Sequence, residues 1–313
     1  MPLLQSPNWP VLLEIYFFLA GVAGGAFLIA GIAELFGDAT DRPVVKWGSY
    51  LGLLAIIPAP FLLTFDLGMP QRFLHMLWVS KPVTTIGDSA ITFLNFHIKP
   101  YSPMNLGAWA LLGFTLCAFI TSATIYLEEK KQKRNLGGLR KLFGAIGIFF
   151  AFFIAAYPGQ LLSASARPLW TDGRFLGALF LAIGGATGIS AVALVISLQG
   201  GDAVRAVPKL RRAYTTALLL QALALVLFLI GVWGASPLTQ QALNKIMSGS
   251  YSIVFWGGAV ILGLVVPAVM ELQEGFLQGY PARTQGRVVL ASVLILIGGF
   301  LTKYVIFAAG QAV

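Results

Sequence analysis

An all-α membrane protein of eight transmembrane helices, arranged as two four-helix bundles, is the fold class this sequence predicts. Three observations predict it: charge is scarce, it is bunched, and the gaps between charges are long. Of 313 residues, 58% are hydrophobic and 11% carry charge, far below the roughly 25% charge of a soluble domain. A helix needs about 20 mostly apolar residues to cross the hydrocarbon core. Stretches free of Asp, Glu, Lys and Arg occur at residues 15–33, 47–65, 100–127, 142–166, 175–201, 213–244, 246–270 and 288–302. The first seven are long enough outright, and the eighth qualifies with Lys303 near its end. The first apolar segment follows no basic region and precedes no small-residue cleavage site, so it reads as a retained helix rather than a signal peptide.

Eight spans leave only connecting loops, with no room for a soluble domain. Sorting the loops by side places 14 of the 21 basic residues after the first, third, fifth and seventh helices, among them Arg42, Lys130, Lys141, Lys209, Arg211 and Arg283. By the positive-inside rule that side is cytoplasmic, so both termini are expected on the periplasmic side of an inner membrane. Topology therefore accounts for the net charge of +9. The basic loop at residues 130–141 has no interleaved aromatics, and nucleic acid is not expected as a partner. The lone cysteine, Cys117, sits mid-span and supports neither an intrachain disulfide nor an iron–sulfur cluster, which needs about four thiolates. Both histidines, His75 and His97, fall in one loop, so no haem held between helices is expected.

That loop, residues 66–101, is the longest. It carries Trp78, three prolines and the apolar run 91–96, and loops of this length are usually functional or disordered. It reads either as a lid over the helix ends or as a docking surface for a partner subunit. A faint repeat links Phe18-Leu19-Ala20, with Gly21 and Gly25, to Phe180-Leu181-Ala182, with Gly184 and Gly188, the glycines offset by one position. Each glycine pair is a GxxxG motif that permits close helix approach. The organisation expected is a first repeat of helices 1–3 and the long loop over residues 1–135, helix 4 over 136–170, and a second bundle over 171–313.

Ionisable groups inside a membrane span are costly and mark function by default. Glu14, Asp66 and Lys303 all lie at the outward ends of helices, near Tyr157, Pro158, Gly159 and Gln160, with Arg167 and Trp170 in the short loop that follows. A structural reading is open: Glu14 and Lys303 neutralise each other, Asp66 caps the following turn or pairs with Arg72, and Tyr157 and Trp170 belong to the interfacial aromatic belt. The functional reading is a pocket for a quinone, whose carbonyls need hydrogen-bond partners and whose chemistry needs a carboxylate or tyrosine within reach. Metal-ligand spacings, Walker loops and nucleophile elbows are missing from the sequence.

Five segments resemble the NrfD/PsrC family of polysulfide-reductase-like membrane subunits. They are Tyr16-Phe17-Phe18-Leu19-Ala20-Gly21-Val22-Ala23-Gly24-Gly25; Phe65-Asp66-Leu67-Gly68-Met69-Pro70-Gln71-Arg72-Phe73; Ser102-Pro103-Met104-Asn105-Leu106-Gly107-Ala108-Trp109; Tyr157-Pro158-Gly159-Gln160-Leu161-Leu162-Ser163 with Arg167-Pro168-Leu169-Trp170; and Gly298-Gly299-Phe300-Leu301-Thr302-Lys303-Tyr304. The second and third are the most specific. The resemblance implies an eight-helix subunit without haem or iron–sulfur cluster of its own. It would bind menaquinone or ubiquinone beneath a docked ferredoxin-like iron–sulfur subunit that exchanges electrons with a catalytic, molybdopterin-type subunit. By matching position, Tyr157 looks like the family's quinone-contacting tyrosine and Asp66 like its acidic residue after the second helix, while Glu14 sits near a variable quinone-contacting position. Pro158 stands where the family usually has Thr or a similar residue, and Lys303 where it usually has Arg, which exchanges a bidentate donor for a point charge.

The expected catalytic set is Tyr157, Glu14, Asp66 and His75, the first two addressing the ring oxygens and the last two relaying protons. The expected quinone-binding set is Tyr157, Glu14, Gln160, Arg167, Trp170 and Lys303. Glu34 and Glu271, near the cytoplasmic helix ends, are expected to be interfacial and solvated, and are the candidates for any proton movement across the membrane. Two competing classes are a secondary transporter, which would want polar groups at mid-depth, and a haem b anchor, which would want histidines on helices.

Overall fold

The computed structural model describes residues 9–77, 91–93, 96–98, 102–131, 135–277 and 285–312. Trp78, Lys133, Arg134, Arg283 and much of the long loop lie outside the described residues. Among the described residues, eight helices are long and apolar enough to cross a membrane, and the protein is a multi-pass membrane protein. In chain order the elements are α1 (Val11–Phe36), α2 (Arg42–Ile56), α3 (Pro58–Asp66), a 3-10 segment Pro70–Met76, strands β1 (Ile91–Phe93) and β2 (Phe96–Ile98), α4 (Pro103–Lys131), α5 (Gly137–Ser163), α6 (Pro168–Thr171), α7 (Leu176–Gln199), α8 (Val207–Val232), α9 (Pro237–Met247), a π-helical turn Val254–Val265 leading into α10 (Val266–Leu277), and α11 (Gln285–Gln311).

Two spans depart from the uncharged windows for a local reason. The second is broken at Ile57, because Pro58 and Pro60 each lack the N–H that would continue the helix. The window 213–244 holds two elements: Gly234 adopts a left-handed φ of 79° that ends α8, and Ser236 caps a separate amphipathic helix, α9. The apolar run in the long loop forms a small antiparallel hairpin, Ile91 opposite Ile98 and Phe93 opposite Phe96.

The GxxxG pairs explain the centre of the fold. Helix α1 packs on α2, α5 and α7, and α7 packs on α1, α5, α8 and α11. Gly21 and Gly25 of α1 face Gly184 and Gly188 of α7 so closely that a methyl on Gly25 would strike the Gly184 backbone and one on Gly188 the Gly25 backbone. Backbone cannot move aside as a side chain can. Gly25→Val is therefore expected to lower stability by about 1–3 kcal/mol or more, measured as the thermal midpoint of the detergent-solubilised protein.

At the end carrying Arg42, the side chains of Glu34, Arg140, Arg211 and Glu271 are buried in networks. Glu34 and Glu271 are not solvated: their side chains are each 7% exposed and ion-paired. Glu34 meets Arg140 Nε at 2.9 Å, and Arg140 also binds Glu128, which accepts from Arg42 at 2.7 Å and from the Leu136 N–H at 2.8 Å. Glu271 accepts from Arg211 at 2.8 Å and from the Tyr214 hydroxyl. The reason is tertiary: neighbouring helices bring arginines to carboxylates that linear distance from a helix end suggests are wet. At the opposite end, Asp172 ties α6 to α9 by accepting from Thr239 Oγ1 at 2.5 Å and Ser236 Oγ at 3.1 Å. These bonds, Thr239 first, hold its carboxyl below the usual range. A lowered folded-state value gives stability that is present above the unfolded value of about 3.9 and lost as pH falls through the folded one. Limited proteolysis is expected to cut the α6–α9 region more readily below about pH 4, and Asp172→Asn to remove that pH step.

Candidate functional site

A cavity of about 420 Å³ opens at the Asp66 end, between α1, α3, α4 and α5. Its walls are almost wholly apolar, including Leu13, Leu63, Leu111, Leu112 and Leu161. The polar groups it exposes are few. Thr64 and Thr115 line it, but their hydroxyls donate to the Pro60 and Leu111 carbonyls, each at 2.7 Å. The hydroxyls of Tyr16 and Tyr157 have no hydrogen-bond partner among the described residues, nor does the carboxylate of Asp66. Asp66 closes α3 at its C-terminus, where the helix dipole disfavours negative charge.

Local sequence explains each placement. Tyr157 is buried, stacked on Phe153 with centroids 5.7 Å apart and planes 18° off parallel. Its ring lies against Gly107, where a Cβ would overlap it. Pro158 leaves the Ile154 carbonyl without its helical donor, and Gly159 brings α5 against the Leu176 carbonyl of α7. The α4 motif meets the segment that follows the Asp66 motif over the cavity. Asn105 Nδ2 donates to the carbonyls of Met76 and Leu77 at 2.8 and 3.1 Å, and Trp109 Nε1 donates to Leu77 at 2.7 Å. The α4 motif thereby clamps the segment after Asp66 across the mouth, with Phe73, Met76 and Leu77 as its inner surface. An adjoining cavity of about 340 Å³ shares Leu67, Met76 and Met104 with the first and is lined by Arg72 and His75.

The cavity thus gathers Tyr157 and Asp66, with His75 next door. The other expected residues lie elsewhere. Glu14 is fully buried on the α1 face that carries Gly21 and Gly25, away from Leu13 and Tyr16. Lys303 is buried beside it, donating to the Phe17 carbonyl at 2.8 Å. Gln160 is exposed. Arg167 donates to the Gln311 carbonyl at 3.2 Å and Trp170 to Ile306 at 3.0 Å, so both hold the C-terminal end of α11. Neither Tyr157 nor Trp170 is part of an interfacial belt, since both are buried. His97 lies in β2, where its side chain is outside the described residues. Tyr16, Gly107, Asn105 and Trp109 went unassigned in the sequence; the signal was their place inside motifs, as Gly107 sits midway between Asn105 and Trp109.

The family model described as "Polysulphide reductase, NrfD" matches residues 4–313. A protein NrfD homolog of Haemophilus influenzae is 25% identical over 98% of this chain and 96% of its own length. A polysulfide reductase polypeptide of Wolinella succinogenes is 26% identical over 97% of this chain and 94% of its own length. A selenate reductase subunit of Mesobacillus selenatarsenatis is 21% identical over 84% of this chain and 66% of its own length.

Proposed function

This chain belongs to the NrfD polysulphide reductase family, and on that premise we propose that it is the membrane subunit of a quinone-linked respiratory oxidoreductase complex. The observation that carries the reading is the apolar cavity that exposes the unengaged Tyr16 and Tyr157 hydroxyls and the Asp66 carboxylate. A quinone brings two carbonyl oxygens that gain or lose protons together with electrons. Tyr16 and Tyr157 address those oxygens, and Asp66 accepts or returns the proton at the mouth. His75, which lines the adjoining cavity, passes it to water. The apolar walls admit the ring of menaquinone or ubiquinone and leave its tail among lipids.

In this reading residues 1–135 and 136–170 form the quinone-handling part and 171–313 the supporting bundle. Electrons pass between the cavity and a docked ferredoxin-like iron–sulfur subunit, which exchanges them with a catalytic, molybdopterin-type subunit. The chain lies in the inner membrane with both termini on the periplasmic side, by the positive-inside rule. Glu34 and Glu271, tied into buried ion pairs, are given no proton-carrying role.

Two substitutions test this. Asp66→Asn keeps the side-chain shape and removes the proton acceptor, and is expected to lower quinol-dependent electron transfer in the purified complex roughly 100-fold; wild-type turnover would overturn the assignment. Gly107→Ala puts a methyl into the Tyr157 ring. It is expected to weaken quinone-analogue affinity at least roughly tenfold with helix content unchanged by circular dichroism.

A further inference from the structure

A second polar centre lies behind the cavity, at the junction of α1, α7 and α11. Lys303 of α11 is 1% exposed. Its ammonium donates to the Phe17 carbonyl and sits 4.9 Å from the centre of the Phe180 ring of α7. It fits there because residue 21 is glycine: a Cβ on Gly21 would lie 2.6 Å from Nζ. Glu14 is 0% exposed, and neither of its carboxyl oxygens has a hydrogen-bond partner among the described residues. Residues 14, 18, 21 and 25 fall on one helical stripe, so Glu14 faces the same seam. No direct ion pair joins the two groups among the described residues. No other charge faces them from the packed helices: α7 has none, and the charges of α5 are at its far end.

A buried carboxylate without donors is costly, whereas the ammonium keeps two N–H groups beyond the one given to Phe17. A polar site with such complementary donors and acceptors is where a protein holds an ordered water. We propose that Glu14 and Lys303 are a water-bridged charge pair that fixes α1 against α7 and α11, and so positions the Tyr16 hydroxyl in the cavity. The Phe17 carbonyl that Lys303 grips belongs to the residue next to Tyr16, so the grip is felt one residue from the cavity wall. The pair acts through Tyr16 and does not touch the ring. The positioning role rests on the function proposed above, while the charge pair itself does not.

The test is a cycle of Glu14→Gln, Lys303→Met and their combination in the full complex, read by thermal midpoint and by quinol kinetics, with Lys303→Arg as the conservative variant. Lys303→Met alone, which strands the carboxylate, is expected to lower the midpoint by roughly 5–10 °C, and adding Glu14→Gln to recover most of it. Quinol KM is expected to rise roughly tenfold in both Lys303→Met forms with kcat within about twofold, and Lys303→Arg to restore KM. Equal destabilisation with and without Glu14→Gln would overturn the pair. Unchanged KM in the recovered double variant would overturn the positioning role. If neither Lys303→Met form folds, Glu14→Gln alone decides: a raised KM with intact kcat supports the proposal and an unchanged KM overturns it. Coupled midpoints in a wild-type complex that does not oxidise quinol would instead remove the quinone reading and leave the pair standing.

Discussion

Tyr157→Phe is expected to lower quinol-dependent turnover by roughly 100- to 1,000-fold while leaving the thermal midpoint unchanged. The substitution deletes one oxygen and nothing else. The ring keeps its stacking on Phe153 and its seat against Gly107, so packing is preserved. What is lost is one of the two unengaged hydroxyls in a cavity whose threonine hydroxyls already donate to backbone carbonyls. Tyr16 serves the other ring oxygen, and in an apolar site of low dielectric an unpaired ring oxygen is left without the water that would otherwise serve it. Steady-state quinol oxidation by the purified complex measures the effect. A variant with wild-type turnover would take Tyr157 out of the chemistry.

The second large effect is on stability. Arg140→Met is expected to cost about 3–5 kcal/mol, because removing one partner of a buried pair strands the other. Arg140 and Glu34 have side chains only 6% and 7% exposed. Glu128 retains Arg42 at 2.7 Å, so the stranded group is Glu34. Adding Glu34→Gln to Arg140→Met should then recover most of the loss, a recovery that a purely steric defect would not show. Thermal denaturation of the solubilised protein gives both numbers, and a single-variant loss below about 1 kcal/mol would place the pair among those that contribute little.

The spans were legible because a bilayer imposes one strong rule, apolar length, which leaves its mark in uninterrupted sequence. Asp66 and Tyr157 were legible because each stands in a dense motif at a helix end. The clamp of the α4 motif on the chain after Asp66 was not, since Asn105 and Trp109 bond to backbone carbonyls at Met76 and Leu77, about 30 residues back, and a carbonyl acceptor has no residue type to read. Arg167 and Trp170 show the converse. Polar and aromatic residues in a short loop resemble ligand contacts, yet their acceptors are the Gln311 and Ile306 carbonyls. Those are reached only when α11 folds back over 130 positions away. Glu14 was drawn toward the cavity by its depth and by its nearness to a variable quinone-contacting position of the family; helical phase turns it to the opposite face, where the Gly21 stripe and Lys303 lie.

That one cavity binds quinone is the central claim, and filling it is the most direct test. Ala108 lines the cavity on α4, and Ala108→Trp places an indole in the space. Equilibrium binding of a short-chain quinone analogue to the purified wild-type complex should give one site per complex, and the same titration of Ala108→Trp should show binding abolished with the eight-helix fold retained. Equal affinity in the two proteins would contradict the account.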